Sequence, residues 1–371
     1  MINLKKILQI GMTSNYGGIE SFIMNVYRNI DRSKYQFDFV NMETNEKALA
    51  YSDEIKKLGG KIYKIPGRQE SLNANRNQLK KIIEKNNYDF IHNNLLTWSY
   101  SEGITLPLKY SNSKVIVHSH NSYMNQGMYV RRFLNFVNRR FNYNSDIIRL
   151  ACSKEAGQWL FRNKHFNIIP NGIVTKEYRF NPIIRDEYRK RFDVEEKNVF
   201  LHVGRLSHQK NHEFLLRWFN EICKKNSNSI LFLVGDGELK KELKEKVETL
   251  NLIDKVKFLG IRKDVKNLMF MSDTLLFPSF YEGLPVVLVE AQATGLPALI
   301  SNTISREIDI SNSIKRIDIS NMPKQYAELA LKSVDKSKMS NREEAYLKVK
   351  KAGYDISHTV EMLEEIYSGE C

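Results

Sequence analysis

Short runs of apolar and β-branched residues alternate with longer amphipathic stretches along the whole chain. This alternation is typical of a parallel β-sheet flanked by helices, because both faces of such a sheet are buried and each crossover needs a helix. The first half contains several candidate strands, most of them followed by a candidate helix. They span Lys6–Met12, Gln36–Asn41, Lys61–Ile65, Phe90–His92, Lys114–His118, Ile147–Ala151 and Asn167–Ile169.

The same rhythm starts again after Asn181-Pro182 and the charged segment 185–197. The candidate strands of the second half span Val199–Val203, Ile230–Val234, Val256–Leu259, Thr274–Phe277 and Ala298–Ser301. A chain of 371 residues suits two α/β domains better than one. We therefore predict two doubly wound domains, 1–180 and 181–355, which would leave one cleft between them.

No segment has the about 18 to 20 uninterrupted apolar residues that a membrane-spanning helix needs. The richest stretch, Leu284–Ile300, is interrupted by polar residues, a glycine and a proline. The first residues, MINLKKILQI, return to polar side chains at once and are interpreted as a strand rather than a leader. The sequence thus predicts a protein that does not span a bilayer.

Cysteine use points to a reducing compartment. Cys152, Cys223 and Cys371 are widely spaced and form no CxxC pair, so neither a disulfide framework nor a zinc site is indicated. A cytoplasmic location is therefore expected.

The net charge of +14 favours an anionic partner, which could be a nucleic acid, an acidic membrane surface or a phosphorylated small molecule. No nucleic-acid-binding module is recognisable in the sequence, so nucleic acid is not an expected partner.

The strongest local pattern runs from Pro278 to Pro285 and carries Glu282 and Gly283 in a turn between a strand and a helix. Such a turn lies at the carboxyl end of a parallel strand, where helix N–H groups can hold a diphosphate. Glu290 follows at roughly 12 Å along a helix axis, so the two glutamates would hold two ends of one extended ligand. The alternative is that both are solvated surface residues.

A second pattern is the loop VGRLSHQKN at 203–211, with Arg205 and Lys210 after a strand and Asn211 available to cap the next helix. The two cations suit a diphosphate, since Arg donates in a fork and Lys acts as a mobile charge. An exposed basic loop without a ligand is the alternative.

Two glycine-rich turns are weaker signals. Gly235, in VGDGEL, and Gly17 with Gly18, in GGIE, each follow a strand and permit a tight backbone path near a ligand, or serve only the turn itself. The dinucleotide fingerprint GxGxxG with a later acidic residue is absent from the first turn of either half, which disfavours a nicotinamide cofactor.

His118 and His120 end another strand and lie on the same side of an extended chain. No third metal ligand lies at ordinary spacing, so a hydrogen bond to a sugar hydroxyl is preferred over zinc binding, especially for His120. A structural role is the alternative, and it suits His118 better.

The segment Tyr129–Tyr143 combines aromatic residues with arginines on a predicted helix. Either it lies on an anionic membrane surface and receives a lipid-linked acceptor, or its aromatics face the core and its arginines are solvated. The candidate surface residues are Arg131, Arg132, Phe133, Arg139 and Arg140.

Taken in order, these motifs resemble the large family of retaining GT-B glycosyltransferases that act in bacterial exopolysaccharide, capsule and lipopolysaccharide synthesis. The matching segments are GGIE at 17–20, HSHN at 118–121, CS at 152–153, IPNGI at 169–173, VGRLSHQKN at 203–211, VGDGEL at 234–239 and FPSFYEGLPVVLVEA at 277–291. The resemblance implies two Rossmann-like domains, with the donor held mainly by the second and a C-terminal helix, about 356–371, returning to the first.

The resemblance also implies roles for residues. Arg205 and Lys210 would bind the donor diphosphate, Glu290 the ribose, and Glu282 the transferred sugar. Backbone N–H groups around Gly283 and Leu284 would assist. His120 would reach the sugar, and Gly17 and Gly18 would face donor phosphate and acceptor.

The implied reaction transfers a hexosyl or N-acetylhexosaminyl group from a nucleoside-diphosphate sugar, with a UDP-sugar expected, to a saccharide acceptor. The implied acceptor is linked to a lipid such as a polyprenyl diphosphate, at the inner face of the cell membrane. No metal or other cofactor is expected, and no Asp-x-Asp pair occurs. The alternatives are a sugar-nucleotide epimerase of the same fold and a non-catalytic sugar-nucleotide-binding partner of another transferase.

Overall fold

The structure, a computed structural model, describes residues 4–44, 47–122, 129–142, 144–339 and 342–369. The chain divides into two compact units, Met1–Gly172 with Ile356–Cys371, and Ile173–Asp355. The first boundary lies before the predicted one at 180 because residues from Ile173 onward pair with the end of the second unit. Ile173 N donates to Tyr354 O at 3.0 Å, and the Thr175 hydroxyl bonds to the Asp355 carboxylate.

The first unit has a seven-stranded sheet in the order β3-β2-β1-β4-β5-β6-β7. All its pairings are parallel. The strands are β1 (Lys5–Ile10), β2 (Tyr35–Asn41), β3 (Ile62–Lys64), β4 (Phe90–Leu95), β5 (Lys114–Ser119), β6 (Ile148–Ala151) and β7 (Asn167–Ile168). The helices are α1 (Gly18–Asn29), α2 (Ser52–Lys57), α3 (Leu72–Asn86), α4 (Glu102–Tyr110), α5 (Tyr129–Asn142), α6 (Lys154–Phe161) and, from the C-terminal segment, α14 (Ile356–Ser368).

The second unit has a six-stranded sheet in the order β10-β9-β8-β11-β12-β13, again parallel throughout. Its strands are β8 (Asn198–Val203), β9 (Ser229–Val234), β10 (Val256–Gly260), β11 (Thr274–Phe277), β12 (Ala298–Ser301) and β13 (Ile314–Ile317). Its helices are α7 (Pro182–Arg191), α8 (His212–Lys225), α9 (Lys240–Thr249), α10 (Val265–Met271), α11 (Val286–Ala293), α12 (Ala327–Met339) and α13 (Ala345–Val349). The strand order is that of a Rossmann fold, with β8 as the first strand.

The predicted strands are all present, with ends shifted by at most three residues, and β13 was not predicted. The two doubly wound sheets confirm the predicted α/β fold. Cys152 and Cys223 are both buried and neither is in a disulfide, whereas Cys371 lies outside the described residues.

The C-terminal helix α14 belongs to the first unit, as the resemblance implied. Thr359 Oγ1 donates to Pro170 O at 3.0 Å, and Tyr35 Oη donates to Glu364 O at 3.2 Å. Tyr367 is completely buried against the rings of Phe37 and Phe90. The helix therefore completes the core of the first unit.

Candidate active site

Loops after neighbouring strands meet at the carboxyl edge of the second unit's sheet. β8 lies between β9 and β11, and both pairings are parallel. The segments 204–211, 235–239 and 278–285 therefore leave the sheet at the same edge. Open parallel sheets bind ligands at this edge, where the strand order reverses.

Lys210 and Glu282 form an ion pair at this edge. Lys210 Nζ lies 2.7 Å from Glu282 Oε1, and the two side chains are only 14% and 9% exposed. Gln209 Nε2 donates to the other carboxylate oxygen at 3.3 Å and to the Tyr281 carbonyl at 2.9 Å. The Lys210 ammonium also lies 4.6 Å from the ring centre of Phe277. These contacts fix the loop after β8 against the loop after β11.

The loops after β8 and β9 pack backbone against backbone. Gly235 has a φ of +131°, and a Cβ at this position would lie 2.1 Å from the Gly204 carbonyl oxygen. A Cβ on Gly237 would lie 2.4 Å from the Leu206 carbonyl oxygen, and Leu206 N donates to Asp236 O at 3.0 Å. The close approach and the left-handed backbone both require glycine at Gly235, irrespective of any ligand contact there.

Arg205 has a different partner from Lys210. Its Nε donates to Glu238 Oε2 at 3.1 Å, and both side chains are more than half exposed. An exposed pair of this kind contributes only about 0–1 kcal/mol, so an anionic ligand can compete with Glu238 for the guanidinium. The structure therefore places Arg205 on the loop that carries Lys210, with Glu238 as its salt-bridge partner.

Glu290 lies on α11 and accepts a hydrogen bond from Tyr178 Oη at 2.8 Å. Burial raises the pKa of Glu290, while the Tyr178 hydrogen bond lowers it. Glu282 and Glu290 thus have separate partners. No sequence motif pointed to Tyr178, which lies in a short 3-10 turn before α7.

The turn before α11 is buried. Gly283 and Leu284 both have little exposed surface, and Pro285 is the N-cap residue of α11. Helix N-terminal N–H groups carry partial positive charge. Asn211 does occupy the N-cap of α8, but its φ of 54° is left-handed and its side chain makes no capping bond, so the predicted side-chain cap is wrong.

In the first unit, Glu20 shapes the loop that carries Gly17 and Gly18. Glu20 Oε1 accepts from Thr13 N at 2.9 Å and from Thr13 Oγ1 at 2.7 Å, and Oε2 accepts from Gly17 N at 3.1 Å. Burial raises the pKa of Glu20. A Cβ on Gly17 would lie 2.7 Å from Glu20 Oε2, whereas one on Gly18 would meet no atom within 4 Å. The space beside Gly18 is therefore open.

His118 and His120 lie together, as the alternation predicted, and a third histidine joins them. The ring centres of His118 and His120 are 4.2 Å apart, and His92 Nε2 lies 3.2 Å from His118 Nδ1. His120 Nε2 lies 2.9 Å from Asn94 Oδ1. The sequence analysis missed His92 and Asn94, although the polar run His92-Asn93-Asn94 within β4 is a signal of its own.

Burial in a medium that solvates charge poorly keeps these imidazoles neutral. It lowers the pKa of His92 to about 3 and that of His120 to about 3, and holds the pKa of His118 well below its ordinary value.

The helix α5 turns its asparagines inward and its aromatics outward. Asn135 Oδ1 accepts from Trp98 N at 2.8 Å, and Asn138 Nδ2 donates to Trp98 O at 2.8 Å. By contrast, Phe133 and Phe141 are 66% and 81% exposed. The core-facing alternative for these aromatics is therefore wrong. Tyr143, the last residue of the predicted segment, lies outside the described residues.

The helix also carries charge of one sign. It contains four arginines and no acidic residue, so its exposed surface joins cations to apolar rings. The predicted residues Arg131, Arg132 and Phe133 are exposed, Arg140 is exposed and Arg139 is half-buried.

Across the described ranges, no cluster of His, Cys, Asp or Glu is arranged to hold a metal ion. Within the same residues, every helix falls short of the length and apolarity that crossing a bilayer would require.

Two protein-family models match the chain. One, described as Glycosyltransferase Family 4, matches residues 16–177, and the other, described as Glycosyl transferases group 1, matches residues 184–349. Together they span both units.

Relatives that match most of the chain are named as glycosyltransferases. EpsF of Bacillus subtilis (strain 168), named for an inferred glycosyltransferase activity, is 31% identical over 376 residues, which cover 98% of this chain and 96% of that protein. A Campylobacter jejuni protein is 26% identical over 297 residues, covering 78% of this chain and 77% of its own length. It is named GalNAc-alpha-(1->4)-GalNAc-alpha-(1->3)-diNAcBac-PP-undecaprenol alpha-1,4-N-acetyl-D-galactosaminyltransferase.

Among solved structures, Anabaena HepE in complex with UDP-glucose superposes on this chain with a TM-score of 0.77 at 18% identity, covering 98% of this chain and 99% of that one.

Proposed function

The chain belongs to the family of group 1 glycosyltransferases and has their GT-B fold, and on that premise we propose that it transfers a sugar from a UDP-sugar to a lipid-linked saccharide with retention of the anomeric configuration. The transferred group is a hexosyl or N-acetylhexosaminyl residue. The observation that carries the proposal is the Lys210–Glu282 pair at the sheet edge, because it joins a cation for phosphate to a carboxylate for sugar hydroxyls.

The donor diphosphate binds through Lys210 and Arg205. An ammonium has three donors, of which Glu282 needs one, so Lys210 can contact phosphate without leaving its partner. Arg205 exchanges its exposed bond to Glu238 for phosphate oxygens, where the fork of guanidinium donors fits best. HepE holds UDP-glucose in its crystal structure, which supports uridine as the nucleoside.

Glu282 holds the transferred sugar and Glu290 the ribose. Glu290 is half-buried and already accepts from Tyr178, so a ribose hydroxyl would join an existing hydrogen bond. Backbone N–H groups at Gly283 and Leu284, before α11, add positive potential near the phosphates.

In the reaction, the bond from the anomeric carbon to the diphosphate oxygen breaks and UDP departs. The acceptor oxygen bonds to the same face of the anomeric carbon, and its proton passes to a donor phosphate oxygen. Lys210, Arg205 and the helix N-terminus stabilise the departing diphosphate electrostatically, which makes a metal ion unnecessary. His120, Gly17 and Gly18 of the first unit contact the saccharide.

The acceptor is attached to lipid, and α5 brings the protein to the anionic membrane surface that holds it. The Campylobacter relative is named for an undecaprenol-linked acceptor, and the outward aromatics and arginines of α5 fit acidic headgroups by charge. The net charge of +14 acts in the same direction at longer range.

The decisive experiment incubates the protein with UDP-glucose, UDP-galactose, UDP-GlcNAc or UDP-GalNAc, with and without polyprenyl-diphosphate-linked mono- and disaccharides. We expect one donor to raise the melting temperature and to yield a lengthened lipid-linked glycan only when acceptor is present. Proton NMR of the new anomeric centre reports its configuration, with retention expected. Conversion of a donor to its epimer without acceptor, or binding without any transfer, would reject the proposal.

A further inference from the structure

A line of hydrogen bonds crosses the core of the first unit from the C-terminal helix to the neighbourhood of His120. Tyr367 Oη on α14 lies 2.7 Å from His92 Nδ1, and His92 Nε2 lies 3.2 Å from His118 Nδ1. The centre of the His118 ring lies 4.2 Å from that of the His120 ring, and the two planes are tilted by 32°. Three imidazoles from β4, β5 and the residue after β5 therefore support one another.

The Phe22 ring of α1 packs against the last two imidazoles. Its centre lies 5.0 Å from His118 and 5.2 Å from His120. The His120 ring is thus held between an aromatic ring and a second imidazole, which leaves it little rotational freedom.

Asn94 fixes the other side of the His120 ring. Asn94 Nδ2 donates to Gln9 Oε1 at 3.0 Å and also lies 3.3 Å from the Ile10 carbonyl oxygen. Because the amide nitrogen is turned toward oxygen acceptors, the atom that faces His120 Nε2 at 2.9 Å is Oδ1. Oδ1 can only accept a hydrogen bond, so the proton of the His120 ring must reside on Nε2.

A neutral imidazole with its proton on Nε2 has an unprotonated Nδ1, which accepts hydrogen bonds. The ring stays neutral because it is surrounded by Phe22 and His118 and contacts no carboxylate among its described partners.

We propose that Asn94 is a positioning residue that holds His120 as the Nε2–H tautomer, so that His120 Nδ1 accepts a hydrogen bond from a hydroxyl of the substrate. His118, braced by His92 and Tyr367, keeps the ring in place. The proposal rests on the proposed function only in taking the substrate to be a saccharide. It assigns a direction to the hydrogen bond, since the protein accepts and the sugar donates.

The tautomer can be measured without any substrate. In protein labelled with 15N-histidine, the His120 signals are assigned by their loss in His120→Asn, and long-range correlations report which ring nitrogen carries the proton. We expect a pyrrole-like Nε2 and a pyridine-like Nδ1 at neutral pH. A proton on Nδ1, or a doubly protonated ring, would overturn the proposal.

The role of Asn94 is tested in the same spectrum. Asn94→Ala removes the acceptor, and we expect a mixture of the two tautomers at His120. An unchanged Nε2–H signal in a folded variant would reject Asn94 as the positioning residue. If the variant does not fold, the spectrum of the unaltered protein still tests the tautomer.

Two amide substitutions at His120 test which of its ring nitrogens contacts the substrate during transfer. In His120→Asn the amide lies where Nδ1 lies, whereas in His120→Gln it reaches the position of Nε2. If Nδ1 contacts the substrate, His120→Gln lowers kcat/KM roughly tenfold more than His120→Asn does, as expected for one lost hydrogen bond. The reverse order would contradict the proposal.

UDP affinity serves as the control in both variants, because the proposed diphosphate ligands Lys210 and Arg205 belong to the second unit. Failure of UDP to bind even the unaltered protein would count against the proposed function, whereas the tautomer result would stand.

Discussion

At the scale of single residues, the cations of the loop after β8 differ in burial. Lys210 is nearly enclosed with Glu282, whereas Arg205 and Glu238 are exposed. Burial decides what each substitution costs, because removing one member of an enclosed pair leaves the other charge without its partner.

Lys210→Ala should therefore weaken UDP binding and also destabilise the protein by about 1–3 kcal/mol, the cost of an unsatisfied buried charge or acceptor. Arg205→Ala should weaken UDP binding while leaving the melting temperature nearly unchanged. Calorimetric titration with UDP and thermal unfolding measure the two effects. Equal losses of stability in both variants would contradict the inference that burial makes Lys210, but not Arg205, important for stability.

Glu282→Gln should lower turnover more than it lowers UDP affinity, since Glu282 is proposed to hold the sugar and not the nucleotide. The amide keeps the size of the side chain but loses the charge that pairs with Lys210. Steady-state kinetics give the turnover number and calorimetry gives the affinity for UDP. A variant that transfers normally but binds UDP poorly would reverse the assignment.

Gly235→Ala should destabilise the second unit by several kcal/mol, because the new Cβ would meet the Gly204 carbonyl oxygen in a left-handed backbone. Gly18→Ala is the matched control, since a Cβ there has no neighbour within 4 Å. Chemical denaturation compares the free energies of unfolding. A stable Gly235→Ala variant would show that the two loops can separate without cost.

Sequence motifs indicated the candidate site residues better than they indicated the residues that contact them. Glu282, Lys210 and His120 became candidates because each lies within a sequence motif. Their contacts to Gln209 and Asn94 are decided by strand order, which brings distant segments together. Tyr178 belongs to no motif at all, and only the folded chain places it beside Glu290.

At the scale of elements, alternation in the sequence predicted the strands well wherever they are buried on both faces. β13 escaped prediction because this edge strand is short and carries Lys315 and Arg316 among few apolar residues. The helix α5 was left undecided, since its aromatic and basic residues fit a buried or an exposed helix equally. The asparagines that face Trp98 settle the matter.

The exposed side of α5 yields a prediction about lipid. We expect the protein to cosediment with vesicles of phosphatidylglycerol and phosphatidylcholine but not with phosphatidylcholine alone, and to be released at high salt. Arg131→Gln with Arg132→Gln should weaken binding roughly 30-fold, at about 1 kcal/mol for each cation. Lys56→Gln with Lys57→Gln, exposed residues of α2, is the control that removes equal charge.

Phe133→Ser should weaken vesicle binding through the lost apolar contact, without loss of stability, because its side chain is 66% exposed. If the α2 control reduced binding as much as the α5 variants, the attraction would reside in the overall charge of the protein and not in this helix.

At the scale of the whole molecule, buried histidines make stability depend on pH. Burial lowers the pKa of His92, His118 and His120 in the first unit and of His202 and His212 in the second. Below an unfolded pKa of about 6.5, the unfolded chain binds protons that the folded protein does not.

Stability should therefore be constant with respect to these groups above about pH 6.5, and should fall by up to about 1.4 kcal/mol per pH unit per histidine below it. Glu20 and Glu290 have raised pKa values in the folded protein, so their protonation favours the folded state as the pH falls. They oppose the effect of the histidines, but there are only two of them against five histidines. Denaturant unfolding from pH 7.5 downward measures the slope. A stability that does not decline toward acid would contradict the buried neutral state of these rings.

The position of α14 in the first unit bears on how the protein is made. This helix supplies Tyr367 to the core of the first unit, yet it follows the entire second unit in the chain. During synthesis on a ribosome, Ile173–Asp355 can finish folding while the earlier segment still lacks a helix that covers its aromatic residues. The first unit thus begins to emerge from the ribosome before the second unit but completes its fold after it. A nascent chain paused before α14 should therefore bind chaperones through its N-terminal part.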